Sequence, residues 1–326
     1  MTVSGAAEAL RGEPGAELRA LKLRAALNAA IRGFFADRGV LEVETPLLQR
    51  SANPDPAIEP VAVAGGEGYL RTSPEFAQKR LLCAGSGPIY ELGRVFRAGE
   101  VGRYHHPEFT MLEWYRPGFG LAELISEVAE LINLSLRLAG AEDLPVVQVQ
   151  YGDLLEQHLG ANLPADLAGL RQACVTFTSI DDVRAVALSD DECLDLLFSV
   201  AGEALPVDQL TFVTHFPAKQ AALARIDPTD PAVALRFEAF AGGMELANGY
   251  DELRSASELA RRFADDNRRR KAAGMQPLPV DQQLLAAQRS GLPACSGVSI
   301  GVDRLLMLIG GYEHLHQVLT LAEPEL

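Results

Sequence analysis

The chain has 326 residues, 48% of them hydrophobic and 22% charged, and its 29 Lys and Arg against 44 Asp and Glu give a formal net charge of −15. That length suits one large domain or two ordinary ones, and the acidic balance excludes a protein that grips nucleic acid through a broad basic surface. No stretch approaches the roughly eighteen uninterrupted apolar residues of a membrane span, and the opening MTVSGAAEALRGEPG lacks the basic and apolar regions of a signal peptide, so no membrane partner and a cytoplasmic setting are expected. Cys83, Cys174, Cys193 and Cys295 are scattered without metal-ligand spacing, as reduced core thiols are.

Residues 1–16 read as a tail. Over 17–38 a stripe of Leu18, Leu21, Ala25, Ile31, Phe34 and Phe35 with Gly39 at the stop predicts a helix. A short strand from Val40 to Glu44 follows, closed by Thr45 and Pro46. TSPEFAQKR, 72–80, resembles a capped helix start, with Ser73 at N-cap, Pro74 at the first helical position and Glu75 in the first turn. Capping accounts for Ser73 and Pro74 and leaves Glu75 free to bind an amine.

Residues 90–116 predict a hairpin with one chemically loaded face. Alternation puts Phe109, Met111, Glu113 and Tyr115 on one side of the second arm, with Thr110, Leu112 and Trp114 behind. An unpaired carboxylate in that setting is costly, so Glu113 calls for a cationic partner. Arg97 ends the first arm, and the loop from Ala98 to Pro107 carries Arg103, His105 and His106. Arginine beside an aromatic plate suits a nucleotide's phosphate and base. An amphipathic hairpin with a salt-bridged Glu113 and a mobile loop is the plainer alternative.

A second helix is expected from Leu121 to Leu138, ending before Gly140. The pattern weakens over 141–232, which reads as an insertion packed on the sheet, with a helix around Asp191–Ala201 and a strand at Leu210–His215. Strand-like RFEAFAGGMELANGYDEL leads into a helix from about Ser257 to Ala273. Its run of Arg261, Arg262, Arg268, Arg269, Arg270 and Lys271 is interleaved with Glu258, Asp265 and Asp266, as on a solvated face. Glu245 and Glu252 stand an odd number apart, so both reach one site only if Asn248 and Gly249 introduce a bulge or bend. One carboxylate would then serve Mg²⁺ on a polyphosphate and the other a ligand ammonium; otherwise the segment is a hairpin turn flanked by surface acids. In SGVSIGVDRLLMLIGG a strand passes into a helix, Gly297 and Gly301 permit close backbone approach, and Arg304 can meet a base or phosphate or simply pair with Asp303 or a neighbour. Strands and helices mixed without regular alternation predict an α+β fold with a mainly antiparallel sheet.

Taken in order, these segments resemble the three motifs of class II aminoacyl-tRNA synthetase catalytic domains. The helix, strand and Pro46 resemble the dimer-forming first motif, VFRAGEVGRYHHPEF the second and GVDRLLM the third. TSPE, PEFTMLEWY and ELANGYDEL look like the lysine-specific branch. Lysyl-tRNA synthetases carry an OB-fold anticodon-binding domain ahead of the first motif, and with so few residues before the first helix none is expected here. FFADRGVLEVETP, GRYHHPEFTMLEWYRP, THFPAKQAALARI and CSGVSIGVDRL most resemble the truncated paralogues that modify elongation factor P, the (R)-β-lysine ligase family.

The resemblance implies a class II catalytic fold over 17–326, a homodimer, no tRNA, and ATP with Mg²⁺. Lysine or (R)-β-lysine would become an aminoacyl-adenylate and pass to a lysine ε-amino group of elongation factor P. By the same resemblance Arg97 holds the α-phosphate, Arg304 the far phosphates and Glu245 the metal, with Glu252 a second metal candidate. Ala98, Gly99, Glu100, His106, Leu246 and Gly301 complete the ATP site, and Phe109 stacks on adenine. Ser73, Pro74, Glu75, Glu113, Tyr115, Asn248, Glu252 and Ser299 surround the donor. This sequence departs from the pattern at three positions: Gly99 replaces the Glu of Phe-Arg-x-Glu and Glu100 follows it, His106 stands where Asn is usual, and Ser299 replaces Gly or Ala. Two rival readings remain, an adenylate-forming enzyme with another acceptor and a non-catalytic lysine-binding paralogue, the latter favoured by Gly99 alone.

Overall fold

Two apolar stripes, one helical and one strand-like, set the layers of this protein. The computed structural model describes residues 18–66, 68–164 and 166–321, and the expected tail, 1–16, lies outside them. The chain begins with α1 (Leu18–Ala36), then β1 (Leu41–Glu42), β2 (Leu48–Gln49), β3 (Tyr69–Leu70) and α2 (Glu75–Cys83). The hairpin follows as β4 (Ile89–Phe96) and β5 (Glu108–Pro117), then α3 (Leu121–Leu138). Next come β6 (Val146–Gln150), α4 (Tyr151–Leu159), α5 (Leu167–Phe177), α6 (Asp182–Ala185), α7 (Asp190–Glu203) and β7 (Leu210–Pro217). The chain closes with β8 (Val233–Ala241), β9 (Met244–Asp251), α8 (Ala256–Ala272), α9 (Gln282–Gly291), β10 (Cys295–Gly301) and α10 (Val302–Gly310).

Eight strands form one sheet in the order β1-β4-β5-β10-β9-β8-β7-β6, while β2 and β3 pair separately. β1 lies parallel to β4 and β6 parallel to β7; the pairings between them are antiparallel. This is the expected α+β fold with a mainly antiparallel sheet. The first strand is shorter than Val40–Glu44, because only Leu41 and Glu42 find partners, on Ile89 and Tyr90. The segment 141–232 contributes β6 and β7 to the edge of the same sheet and packs α4, α5 and α7 over a second apolar cluster.

One face of the sheet is apolar across its centre. Leu112, Trp114, Phe212, Phe237, Val298 and Ile300 project from it onto Leu27, Ile31 and Phe35 of α1, Leu124, Val128 and Ile132 of α3, and Leu305 and Leu306 of α10. Trp114, fully buried, donates its indole N–H to Glu127 Oε2 at 2.9 Å, so its polar atom is satisfied inside the core. Burying side chains of this size is worth about 2 kcal/mol each against exposure. Asn248 and Gly249 lie within β9, and the tight turn before it uses Gly242 and Gly243, both at positive φ. Gly249 is needed for packing: a Cβ there would stand 2.4 Å from the Phe237 ring. Gly249→Ala should therefore cost about 1–3 kcal/mol through overpacking, seen as a lower urea midpoint with an unchanged slope.

Candidate active site

The opposite face of the sheet is polar and ordered in rows. Strand register lines up Glu91, Glu113, Ser299, Asn248 and Glu238 across β4, β5, β10, β9 and β8. A parallel row runs Tyr115, Gly297, Tyr250 and Arg236. Paired residues point to the same side of a sheet, so both rows line one wall. Gly297 makes this possible, since a Cβ there would lie 2.4 Å from the Tyr115 ring and 2.7 Å from Glu252 Oε1. Above the wall is a chamber of about 770 Å³, closed by the start of α2, the loop after β4, residues 218–226 and α8. Leu223 joins Phe76, Leu259, Phe263 and Leu284 in the apolar cluster beneath those helices, which fixes the roof.

One end of the chamber gathers carboxylates. Glu75, Glu113 and Glu252 are all buried and all line it. The buried cation at this end is Lys79, not anticipated from the sequence, and it pairs with Glu75 and Glu252 rather than with Glu113. Its ammonium lies 2.5 Å from Glu75 Oε1 and 2.6 Å from Glu252 Oε2, so Glu75 is not free. Burial works against that ammonium, but Glu252 and Glu75 together hold its pKa above the ordinary lysine range. Glu113 accepts from the Tyr115 hydroxyl at 2.8 Å. Burial, then the charge of Glu75, push the Glu113 carboxyl up to about 8, with Tyr115 and Lys79 only partly opposing them. Burial raises Glu252 to about 7 against the pull of Lys79. The α2 boundary falls one residue later than expected, with Pro74 rather than Ser73 at N-cap and no side-chain cap there, although Ser73 Oγ still accepts from Glu75 N at 3.3 Å. Pro74 is buried and does not line the chamber.

The other end gathers arginines. The Arg97 guanidinium sits 5.2 Å from the centre of the Phe109 ring and 3.6 Å from Glu100. Arg304, at the start of α10, donates to Glu245 O at 2.9 Å and Tyr104 O at 3.1 Å, and meets His105 Nε2 at 2.8 Å. Burial and the Arg304 charge lower His105, which favours the neutral ring that can accept from a guanidinium. Asp303 is not the partner of Arg304: it is buried against Arg24 and accepts from Thr110 N at 2.6 Å. The loop after β4 is tied down, with Arg103 Nε donating to Glu313 O and Leu315 N to Arg103 O. Gly99 takes a left-handed φ of 77°, and the turn it permits brings Glu100 back to the chamber. Neither Ala98, whose N–H goes to Glu59 O at 2.8 Å, nor Gly99 lines it. His106 does, with its ring Nδ1 held 2.7 Å from Glu108 O. Gly301 lines the chamber, and among the described residues the nearest side chain to where a Cβ would sit is Arg304 at 3.9 Å, an ordinary contact.

The bend expected at Asn248 and Gly249 lies elsewhere. Register on β8 shifts between Ala239 and Phe240, opposite Ala247 and Glu245, which makes Leu246 the extra residue. This bulge turns Glu245 onto the face of Asn248, Tyr250 and Glu252, and Leu246 reaches both the chamber and the core. It does not bring Glu245 to Glu252. At about 3.3 Å per residue they stand on the order of 20 Å apart along β9, too far to share one ion. Glu252 belongs to Lys79, and the carboxylate that feels Glu245 is Glu238, raised to about 7 by burial and then by that neighbour. Among the described residues no three His, Cys, Asp or Glu side chains converge as a metal cage.

Besides Lys79, the places of Tyr250, Arg236 and Glu238 in the polar rows and the inward turn of α8 were not expected from the sequence. Lys79 was legible as the i+4 partner of Glu75, and Tyr250 as the residue alternating with Asn248 and Glu252. The basic run of α8 is only partly a solvated face: Arg261, Arg262 and Arg269 border the chamber, and Arg270 is fully buried against Glu59.

The family of tRNA synthetases class II (D, K and N) matches residues 15–324. A protein of Enterobacter sp. (strain 638) named elongation factor P–(R)-β-lysine ligase is 45% identical over 318 residues, covering 94% of this chain and 96% of its own length. Proteins of the same name from Erwinia tasmaniensis and Klebsiella pneumoniae are 46% and 44% identical, with the same coverage.

The buried acids make stability fall with rising pH. Glu113 at about 8 and Glu252 at about 7 both exceed the unfolded value of about 4.3. Between those limits the folded chain holds the extra protons, so this contribution is complete at acid pH and lost as pH rises through about 7 to 8. The melting temperature should drop between pH 6 and 9, and less steeply in Glu113→Gln. A rise over that window would contradict the assignment.

Proposed function

Because the chain belongs to the class II tRNA synthetase family and, within it, groups with the ligases named for elongation factor P and (R)-β-lysine, we propose that it activates lysine or (R)-β-lysine with ATP and transfers the acyl group to a lysine of elongation factor P. The observation that carries this reading is the polarity of one chamber: arginines beside an aromatic ring at one end, three carboxylates at the other. A triphosphate nucleotide suits the first and a diamino acid the second.

In the first step the donor carboxylate attacks the α-phosphorus, the bond to the bridging oxygen breaks, and pyrophosphate leaves. Arg97 meets the α-phosphate and offsets the charge that builds there, Phe109 carries the adenine, and Arg304 holds the far phosphates. Glu245 suits Mg²⁺ as a single ligand, since its carboxylate is half-exposed and has only a 3.5 Å contact with Arg304; Mg²⁺ commonly takes one or two carboxylates and completes its shell with phosphate and water. When bound it would neutralise the phosphates. The donor's side-chain ammonium meets Glu113, Tyr115 and Glu252, and its other amine meets Glu75. In the second step a neutral ε-amine of the acceptor attacks the acyl carbonyl, the bond from that carbon to the AMP oxygen breaks, AMP leaves with the electron pair, and the amine's extra proton passes to solvent. Ser299, between Glu113 and Asn248 in the row, borders the donor and tunes the fit of α- against β-amines.

The test is the intact mass of elongation factor P after incubation with this protein, ATP, Mg²⁺ and either donor. A gain of one lysyl unit is expected, and the faster donor tells what Ser299 admits. Donor-dependent pyrophosphate release without a gain would redirect the search to another acceptor; no release at all would end the adenylate reading. Arg97→Ala and Arg304→Ala should each cut ATP–pyrophosphate exchange about 100-fold or more, as loss of a transition-state charge partner does.

A further inference from the structure

We propose that Lys79 is a built-in counter-cation that fixes the charge count of the carboxylate pocket, leaving it two negative charges in excess and so matched to a ligand with two ammonium groups. The inference deepens the donor reading above and rests on it. Glu75 and Lys79 stand four residues apart on one face of α2, and Glu252 reaches the same ammonium from just beyond the end of β9. Lys79 is 2% exposed and is not among the residues lining the chamber. It therefore holds two carboxylates from behind while their other faces look inward.

The neighbouring charges close on themselves. Arg225 pairs with Asp251 at 2.7 Å, Arg71 with Glu91 at 2.5 Å, and Arg236 with Glu238. Tyr115 and Asn248 add neutral polar atoms, and Asn248 Oδ1 has no partner among the described residues. Three carboxylates, Glu75, Glu113 and Glu252, thus face one internal ammonium. Two uncompensated charges in a buried wall are not tolerated without a partner, and burial together with the charge of Glu75 pushes the Glu113 carboxyl upward, in the direction that uncompensated charge requires. A monoamine leaves one carboxylate still unmatched; a diamine answers both.

Binding to the wild-type protein without ATP separates this from the adenylate reading. By calorimetry, 1,5-diaminopentane, which has both ammonium groups of lysine and no carboxylate, should bind about tenfold or more tightly than pentylamine. Equal affinities overturn the charge count even if lysine-dependent exchange is robust. A diamine preference with no exchange for any donor leaves the count standing and removes the adenylate reading. Lys79→Met then tests the residue itself: diamine affinity should fall about tenfold and recover with added methylammonium, which should not help the wild type. A folded Lys79→Met that binds the diamine like wild type, or a loss that methylammonium does not relieve, would reduce Lys79 to a structural role. Should that variant fail to fold, the diamine–monoamine comparison on the wild type decides the count alone.

Discussion

Carboxylates on a buried sheet face must find cations, and much of this structure follows from how they do. A strand whose rear residues are Leu112 and Trp114 is committed to the core on that side, so Glu113 and Tyr115 have nowhere to go but the opposite face. That face cannot be left to water, because α2, α8 and α9 pack over it on their own apolar cluster. The polar wall is therefore covered, and its cations are taken up within it: Arg71 by Glu91, Arg236 by Glu238, Lys79 by Glu75 and Glu252 together, while Glu113 has the neutral Tyr115 hydroxyl. Breaking any of these buried pairs would strand a charge, at several kcal/mol.

The two ends of the chamber are held apart by strand geometry rather than by loops. β9 runs from Glu245 at the arginine end to Asp251, next to Glu252, at the carboxylate end, and its bulge at Leu246 puts both glutamates on one face. β5 does the same with Phe109 and Tyr115. A ligand spanning the chamber would thus meet groups on adjacent strands whose spacing is set by hydrogen-bonded pairing. Sites mounted on such elements keep their geometry better than sites on loops. The Arg97 side chain is additionally bounded by the loop turn at Gly99, which returns Glu100 toward it.

Where small residues stand in the wall, they stand for room. Gly297 lies between Tyr115 and Tyr250 in its row and gives way to the Tyr115 ring and Glu252. Gly301, at the strand end, meets nothing among the described residues closer than Arg304 at 3.9 Å, so the space beside its backbone is left to a ligand. One glycine is thus required by packing and the other by the opening it leaves.

The sequence alone determined the elements and the inventory. The hairpin, its two faces, the helices at 18–36 and 121–138, Arg304 at a helix start and the class II motifs were all legible, because they depend on local periodicity and on residue types a few positions apart. Tertiary structure decided the partners. Lys79 belongs to Glu252 only because β9 and α2 meet, far apart in the chain; Glu245 and Glu252 are separated because the extra residue is Leu246, and not the Asn-Gly pair that local turn preference favours. Arg270 left the solvated run because Glu59 waits inside. Periodicity tells which way a side chain points along its own element, but which charge neutralises it depends on the long-range packing that brings the elements together.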